Sequence, residues 1–363
     1  MKWILVRNCC LMTFSMALPC LAAAEYTQDI VALKGNARKG DPESQFLQGS
    51  TGTKKDDKRA ASRFRKAAEQ GEAEAQYHMG KAYSGGYGVE KNQEEAVKWY
   101  KKAAAQNHPV ALYSLAQSYE EGNGVQKDER KAFTLYEKAA KLGNISAQNA
   151  LGFFYYTGKG GVPKNQKLAV EWTLKAAEQG LAQAQHNMGY YYEVGDGTGD
   201  TGILAKDFSG VPQDYAKSIE WYTKAANQGY VRSQVYLGLM YLYGKGVQQD
   251  SLKAAQWISK AAIQGDPEAQ FEMANFFQRS GDRKSAVTWL MKAAEQGFTR
   301  AQVNLGWCYE TGDGIGQNLD QAAQWYHKAA NLGNEEAQYL LNKLLEKHSD
   351  LRIQDEDEKS NPN

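Results

Sequence analysis

From residue 41 to about 348, apolar and polar positions alternate with a helical period, and the alternation restarts about every 36 residues. Ala75, Met79, Gly80 and Tyr83 fall at i, i+4, i+5 and i+8, one face of a 3.6-residue helix. The sets Ala147, Leu151, Gly152, Tyr155 and Ala301, Leu305, Gly306, Tyr309 repeat it. A second stripe, Ala96, Trp99, Tyr100, Ala103 and Ala104, follows the first. Each period therefore predicts two helices. Between them lie glycine-rich stretches, 85–92, 122–128, 158–165, 244–250 and 312–318, each ending on an Asn or Asp suited to cap the next helix.

The register is marked by exact recurrences. Lys-Ala-Ala begins at Lys66, Lys102, Lys138, Lys175, Lys224, Lys260, Lys292 and Lys328, at intervals of 36, 36, 37, 49, 36, 32 and 36 residues. Five positions on stand Gly71, Asn107, Gly143, Gly180, Gly229, Gly265, Gly297 and Gly333, where a left-handed helix cap is expected. A small residue followed by Gln recurs at Ser44, Ala75, Ala147, Ala184, Ser233, Ala269, Ala301 and Ala337; Ala111 holds the same phase but precedes Leu112. The glycine inside the first helix, as at Gly80 or Gly306, costs about 1 kcal/mol against alanine, so its recurrence predicts a close approach of the partner helix.

The pattern A-x-A-Q-x-x-L-G-x-x-Y with W-Y-x-K-A-A-x-Q-G, seen most fully at 75–106 and 301–333, resembles the Sel-one-like repeat, a longer-loop relative of the tetratricopeptide repeat. The resemblance implies an all-α, right-handed α-solenoid of tandem antiparallel helix pairs that serves as a protein-interaction scaffold. Eight repeats are expected over 41–333, with a capping segment at 25–40 and a capping helix at 334–348. The first and seventh repeats have shortened loops, and the fifth carries about twelve extra residues around Gly195 to Val211. One cysteine-rich branch of the family resembles penicillin-binding proteins in activity; its paired cysteines are absent here.

The first 24 residues stand apart. Lys2 and Arg7 precede a largely apolar run from Cys9 to Leu21, and Ala22-Ala23-Ala24 offers a cleavage site before Glu25. This is the pattern of a secretory signal peptide, and it predicts an exported protein, periplasmic or secreted, with no stable membrane insertion after processing. A lipid anchor on Cys20 is disfavoured by Pro19 before it. Removal of residues 1–24 would leave Cys308 as the single cysteine, so no internal disulfide is expected. The acidic end, 349–363, is expected to be disordered.

Charge excludes one class of partner. The chain has 43 Lys and Arg against 42 Asp and Glu, with no basic cluster of the kind nucleic acid demands. No catalytic, cofactor or metal residues are predicted. The G-x-G-x-x-G at Gly197–Gly202 lacks a strand–turn–helix context. Asp196, Asp200 and Asp207 lack the EF-hand spacing, and the five histidines lie in different repeats. No serine has lysine three residues on, as an acylase of the penicillin-recognising kind requires.

The position six residues after the small residue carries the functional signal. In order it reads Lys81, Gln117, Phe153, Tyr190, Leu239, Asn275 and Trp307. Polar occupants show that packing does not require an apolar residue there, so Phe153, Tyr190, Leu239 and Trp307 are the predicted partner-binding residues for a protein or peptide. Extra packing between repeats is the competing account of the same stripe. A β-lactamase-like or peptidoglycan-directed hydrolase, and a glycan- or cell-wall-binding module, are the alternative functions.

Overall fold

The computed structural model describes residues 54–195, 211–348 and 351. The signal segment, the 25–40 cap, the G-x-G-x-x-G of the insertion and nearly all of the acidic tail lie outside them. Sixteen α-helices and no strand occur among the described residues. They divide into two compact units meeting at Lys164 and Asn165.

The first unit contains α1 (Lys54–Glu69), α2 (Ala73–Gly85), α3 (Gln93–Ala105), α4 (Pro109–Glu121), α5 (Glu129–Lys141) and α6 (Ile145–Thr157), then a short 3₁₀ turn at Lys159–Gly161. The second contains α7 (Gln166–Glu178), α8 (Ala182–Val194), α9 (Tyr215–Asn227), α10 (Val231–Tyr243) and α11 (Ser251–Ile263). It continues through α12 (Pro267–Arg279), α13 (Arg283–Glu295), α14 (Thr299–Thr311), α15 (Leu319–Asn331) and α16 (Glu335–Lys347). Within each unit, successive helices pack against one another in tandem, the all-α solenoid arrangement expected from the periodicity.

The helix boundaries follow from local chemistry. Asn92, Asp128, Asn165, Asp250 and Asn318 each accept a hydrogen bond from the backbone N–H three residues on, at 2.9–3.1 Å. Such a cap contributes about 1 kcal/mol. At the other end, Gly229 has φ 86° and the following amide of Tyr230 returns to Ala225 O at 3.1 Å. Asn107, the non-glycine in that series, takes φ 62°. The helical glycine answers a close approach. A Cβ on Gly189 of α8 would lie 2.6 Å from the Tyr222 ring of α9, and one on Gly306 would lie 2.7 Å from Tyr326.

The expected stripes form the core. Ala96, Trp99, Tyr100, Ala103 and Ala104 of α3 are all buried, as are Tyr222, Ile258, Leu290 and Tyr326 on later second helices. Each large side chain so removed from water contributes roughly 1.5–3 kcal/mol. Cys308 is buried among Leu290, Ala301 and Leu305, and burial pushes its thiol up to about 11. The recurrent tyrosines eight residues into the first-helix pattern are less uniform. Tyr119 is buried, whereas Tyr192 and Tyr241 are half-buried beneath the ammonium groups of Lys217 and Lys253.

Polar side chains tie repeat to repeat. Gln76, Gln148, Gln185, Gln234, Gln270 and Gln302 each donate to the carbonyl of the last alanine in the preceding Lys-Ala-Ala block, at 3.1–3.4 Å. Four of their own carbonyls accept from a glutamine of the following block: Gln106 to Gln76, Gln228 to Gln185, Gln264 to Gln234 and Gln296 to Gln270, at 2.7–2.9 Å. Where the first glutamine is replaced by Leu112, the second is replaced by Leu142. A second tie runs from Tyr136 to Glu120 to Lys159, and again from Tyr222 to Glu193 to Lys245, at 2.5–2.8 Å.

One link in the glutamine series is broken. Gln302 Oε1 is buried without a hydrogen-bond partner, and Leu332, 60% exposed, stands where the donating glutamine would be. An unsatisfied buried acceptor costs about 1–3 kcal/mol. Leu332→Gln should therefore raise stability by about 1 kcal/mol, read as a higher urea midpoint. The same change at Leu142, in the repeat where Leu112 replaces the accepting glutamine, should give no such gain.

Candidate functional site

The first helices of the second unit turn one face toward solvent, formed by positions one before and three, six and ten after the small residue. On α8 it carries Tyr190, on α10 Arg232, Tyr236, Leu239 and Tyr243. On α12 it carries Glu268, Asn275 and Arg279, with Glu272 buried at the same phase, and on α14 Arg300, Asn304 and Trp307. Neighbouring first helices touch beneath this face. His186 Nδ1 of α8 lies 2.9 Å from Ser233 Oγ of α10, and Val235 of α10 shares a core cluster with Met273 of α12.

Exposure along the face is uneven. Tyr190 and Leu239 are half-buried, packed respectively against the Tyr222 and Ile258 clusters. Trp307 is 43% exposed, and Tyr243, which the sequence reading passed over, is 50% exposed. Its signal was available as one more helical turn at the same phase, i+4 from Leu239. In the first unit Phe153 is half-buried, like Lys81 and Gln117 at the equivalent position.

The face is charged as well as aromatic. Glu272 is buried, accepting from Asn275 Nδ2 at 3.2 Å, and Glu268 is half-buried one helical turn before it. Burial, with the charges of Asp266 and Glu272 beside it, holds Glu268 above the usual carboxylate range although Arg300 and Arg232 pull the other way. Burial likewise raises Asp266, whose carboxylate caps α12 through the Ala269 amide at 2.8 Å. Tyr243 is raised by burial and by Glu272.

The first unit gathers a different group. The histidines are not all dispersed, as their sequence positions suggested: His78 Nε2 and His108 Nε2 meet the Glu74 carboxylate at 3.1 and 2.6 Å. Those hydrogen bonds hold Glu74 far below the usual carboxylate range. His108 Nδ1 accepts from the Ala111 amide at 3.1 Å and so caps α4. That bond places the ring proton on Nε2, facing Glu74, where a metal would need a lone pair. The cluster is a structural brace between α2 and α4. Among the described residues no His, Cys, Asp or Glu group has the arrangement to hold a metal ion.

The Sel1 repeat model matches 45–72, 73–108, 109–144, 145–181, 182–201, 203–230, 231–266, 267–298 and 299–334. The chain belongs to the Sel1 repeat family. Of the nine matched segments, 182–201 and 203–230 divide the insertion between them and hold the two helices of one pair, α8 and α9. Among solved structures, this Sel1 repeat chain is similar to c5321, a protective antigen present in uropathogenic Escherichia coli strains and displaying an SLR fold. The identity is 35% over 88% of this chain and 68% of that one, with a TM-score of 0.68. It is also similar to a Sel1 repeat protein from Oxalobacter formigenes, at 30% identity over 90% of this chain and 93% of that one, with a TM-score of 0.63. Among curated proteins none matches. Sel1 repeats are generally used for protein–protein interaction, and no described helix of this one is long and apolar enough to cross a membrane.

Proposed function

We propose that this Sel1 repeat protein is an exported, non-catalytic scaffold that binds a protein or peptide on the face of its first helices. The observation that carries the reading is the exposure of Trp307 and Tyr243 at phases where sister repeats hold Lys81, Gln117, Asn275 or Arg279. The fold does not need large apolar groups there. Exposed aromatics on a rigid surface are the residues that dominate binding energy. Phe153, Tyr190 and Leu239 extend the apolar character on their own helices, with part of each side chain engaged in packing. Export rests on the 1–24 segment, and the protective antigen among its structural relatives agrees with a location outside the cytoplasm.

The test uses protein recovered from the envelope or medium of its own host, whose mass should correspond to a chain beginning at Glu25. Partner proteins captured by this material should be lost with Tyr243→Ala plus Trp307→Ala, the melting temperature staying within a few degrees. Truncating a central interface aromatic commonly costs about 2 kcal/mol or more, roughly thirtyfold in affinity. Undiminished capture by the double variant would defeat the binding face; an intact residue 1–24 segment on exported protein would defeat the processing site.

A further inference from the structure

The second helices of the second unit lie side by side. Trp257 of α11 packs on the Tyr222 cluster of α9, and Trp289 of α13 on the Ile258 cluster of α11. Each carries an outward strip spaced i, i+4, i+7 and i+11, one side of an α-helix. On α11 the strip is Leu252, Gln256, Ser259 and Ile263; on α13 it is Lys284, Thr288, Met291 and Glu295, with Ser259 and Met291 half-buried. Every other second helix carries at least one charge at these phases, and α11 carries none. Leu252 and Ile263 are 71% and 77% exposed, more than any other large apolar residue described. The lysines of α11 are held off the strip, Lys253 at 3.5 Å from Asp250 and Lys260 at 4.0 Å from the Trp257 ring centroid.

The strip is complementary to its own copy. Leu252 and Ile263 stand about 16 Å apart along the helix axis. Two α11 helices packed antiparallel about a two-fold axis set Leu252 of one copy on Ile263 of the other, and the symmetry repeats the contact. Uncharged Gln256 and Ser259 meet at the crossing. The same operation lays α13 against α13, where Lys284 of one copy meets Glu295 of the other, again twice. Both side chains are exposed, and neither is in an ion pair among the described residues. On α3 of the first unit that operation would oppose Lys98 and Lys101, so the match is particular to α11 and α13. A stable pair buries about 800 Å² on each side, more than one helix face about 20 Å long supplies, so the flanking helices must take part. We infer that the protein forms a two-fold symmetric dimer with a second copy of this chain, centred on antiparallel α11 and flanked by α13. It uses no residue of the first-helix face and is independent of the reading given to that face.

Sedimentation equilibrium of the protein purified from its host, over micromolar concentrations, tests this. The parent should equilibrate between one copy and two. Leu252→Glu with Ile263→Glu should weaken association by roughly thirtyfold or more. Lys284→Glu should weaken it by about tenfold, and so should Glu295→Lys, because each brings like charges together at two places. Combining these two should restore the parent affinity to within about threefold, since the reversed charges meet again. All four positions are exposed, so the melting curve should not move at a dilution where the parent is monomeric. Tyr243→Ala with Trp307→Ala should leave association unchanged. A monomer at every concentration, species larger than two copies, or a dimer indifferent to Leu252 and Ile263 overturns the inference. So does a dimer that the combined charge reversal weakens as much as either single change.

Discussion

Gly189→Ala should destabilise the second unit by about 1–3 kcal/mol, the usual cost of overpacking, although alanine is the better helix former by about 1 kcal/mol. The added Cβ would lie 2.6 Å from the Tyr222 ring, which cannot retreat. Tyr222 is fully buried, and its hydroxyl donates to Glu193 at 2.8 Å, with Lys245 holding the other carboxylate oxygen. Tyr222→Ala alone should cost about 3–5 kcal/mol by leaving a cavity. In that background the sign of the glycine change should reverse, because the obstruction is gone and the helix preference remains. Urea midpoints of the four proteins measure this. A stabilising Gly189→Ala in the parent, or simple additivity across the cycle, would show that the glycine does not exist to admit the tyrosine.

Acidification should unfold the second unit through His186. The ring is buried between Tyr222, Tyr230 and Tyr236, with centroids at 5.2, 5.2 and 5.4 Å, and its Nδ1 meets Ser233 Oγ. Burial, aided by the positive charge of Arg232, lowers its pKa to about 3. The folded chain thus keeps this imidazole neutral while the unfolded chain takes up a proton below about pH 6.5. Stability from this group is complete above pH 6.5 and falls as pH drops toward 3, by about 1.4 kcal/mol for each pH unit in that window. Between pH 6.5 and 4.5 the loss should reach roughly 2–3 kcal/mol. His186→Gln should be less stable at pH 7 and should show a shallower decline on acidification. Parallel decline of the two proteins would mean that His186 is protonated in the native state.

Much of this was legible from the chain because the repeat makes its own comparison. A residue recurring at one phase through eight Lys-Ala-Ala blocks is under the same physical demand each time, so the helix caps, the left-handed position held by Asn107 and the helical glycine could be assigned before any contact was known. The partner-binding stripe was legible only as a phase. Phe153, Tyr190, Leu239 and Trp307 share it, yet Trp307 stands out in solvent while Tyr190 and Leu239 lean on the core beneath them. Tyr243 belongs to the same face and was missed because it lies a full turn beyond the position compared.

Local sequence determines where this chain turns helical and where each helix stops, since caps, glycines and apolar period act within a few residues. Tertiary structure alone decides which side chains meet across repeats. Gln228 finds Gln185 from 43 residues away, and His108 finds Glu74 from 34. Such contacts depend on the packing of one repeat against its neighbour and on which residue each happens to carry. A period read along one chain shows the position but not the partner.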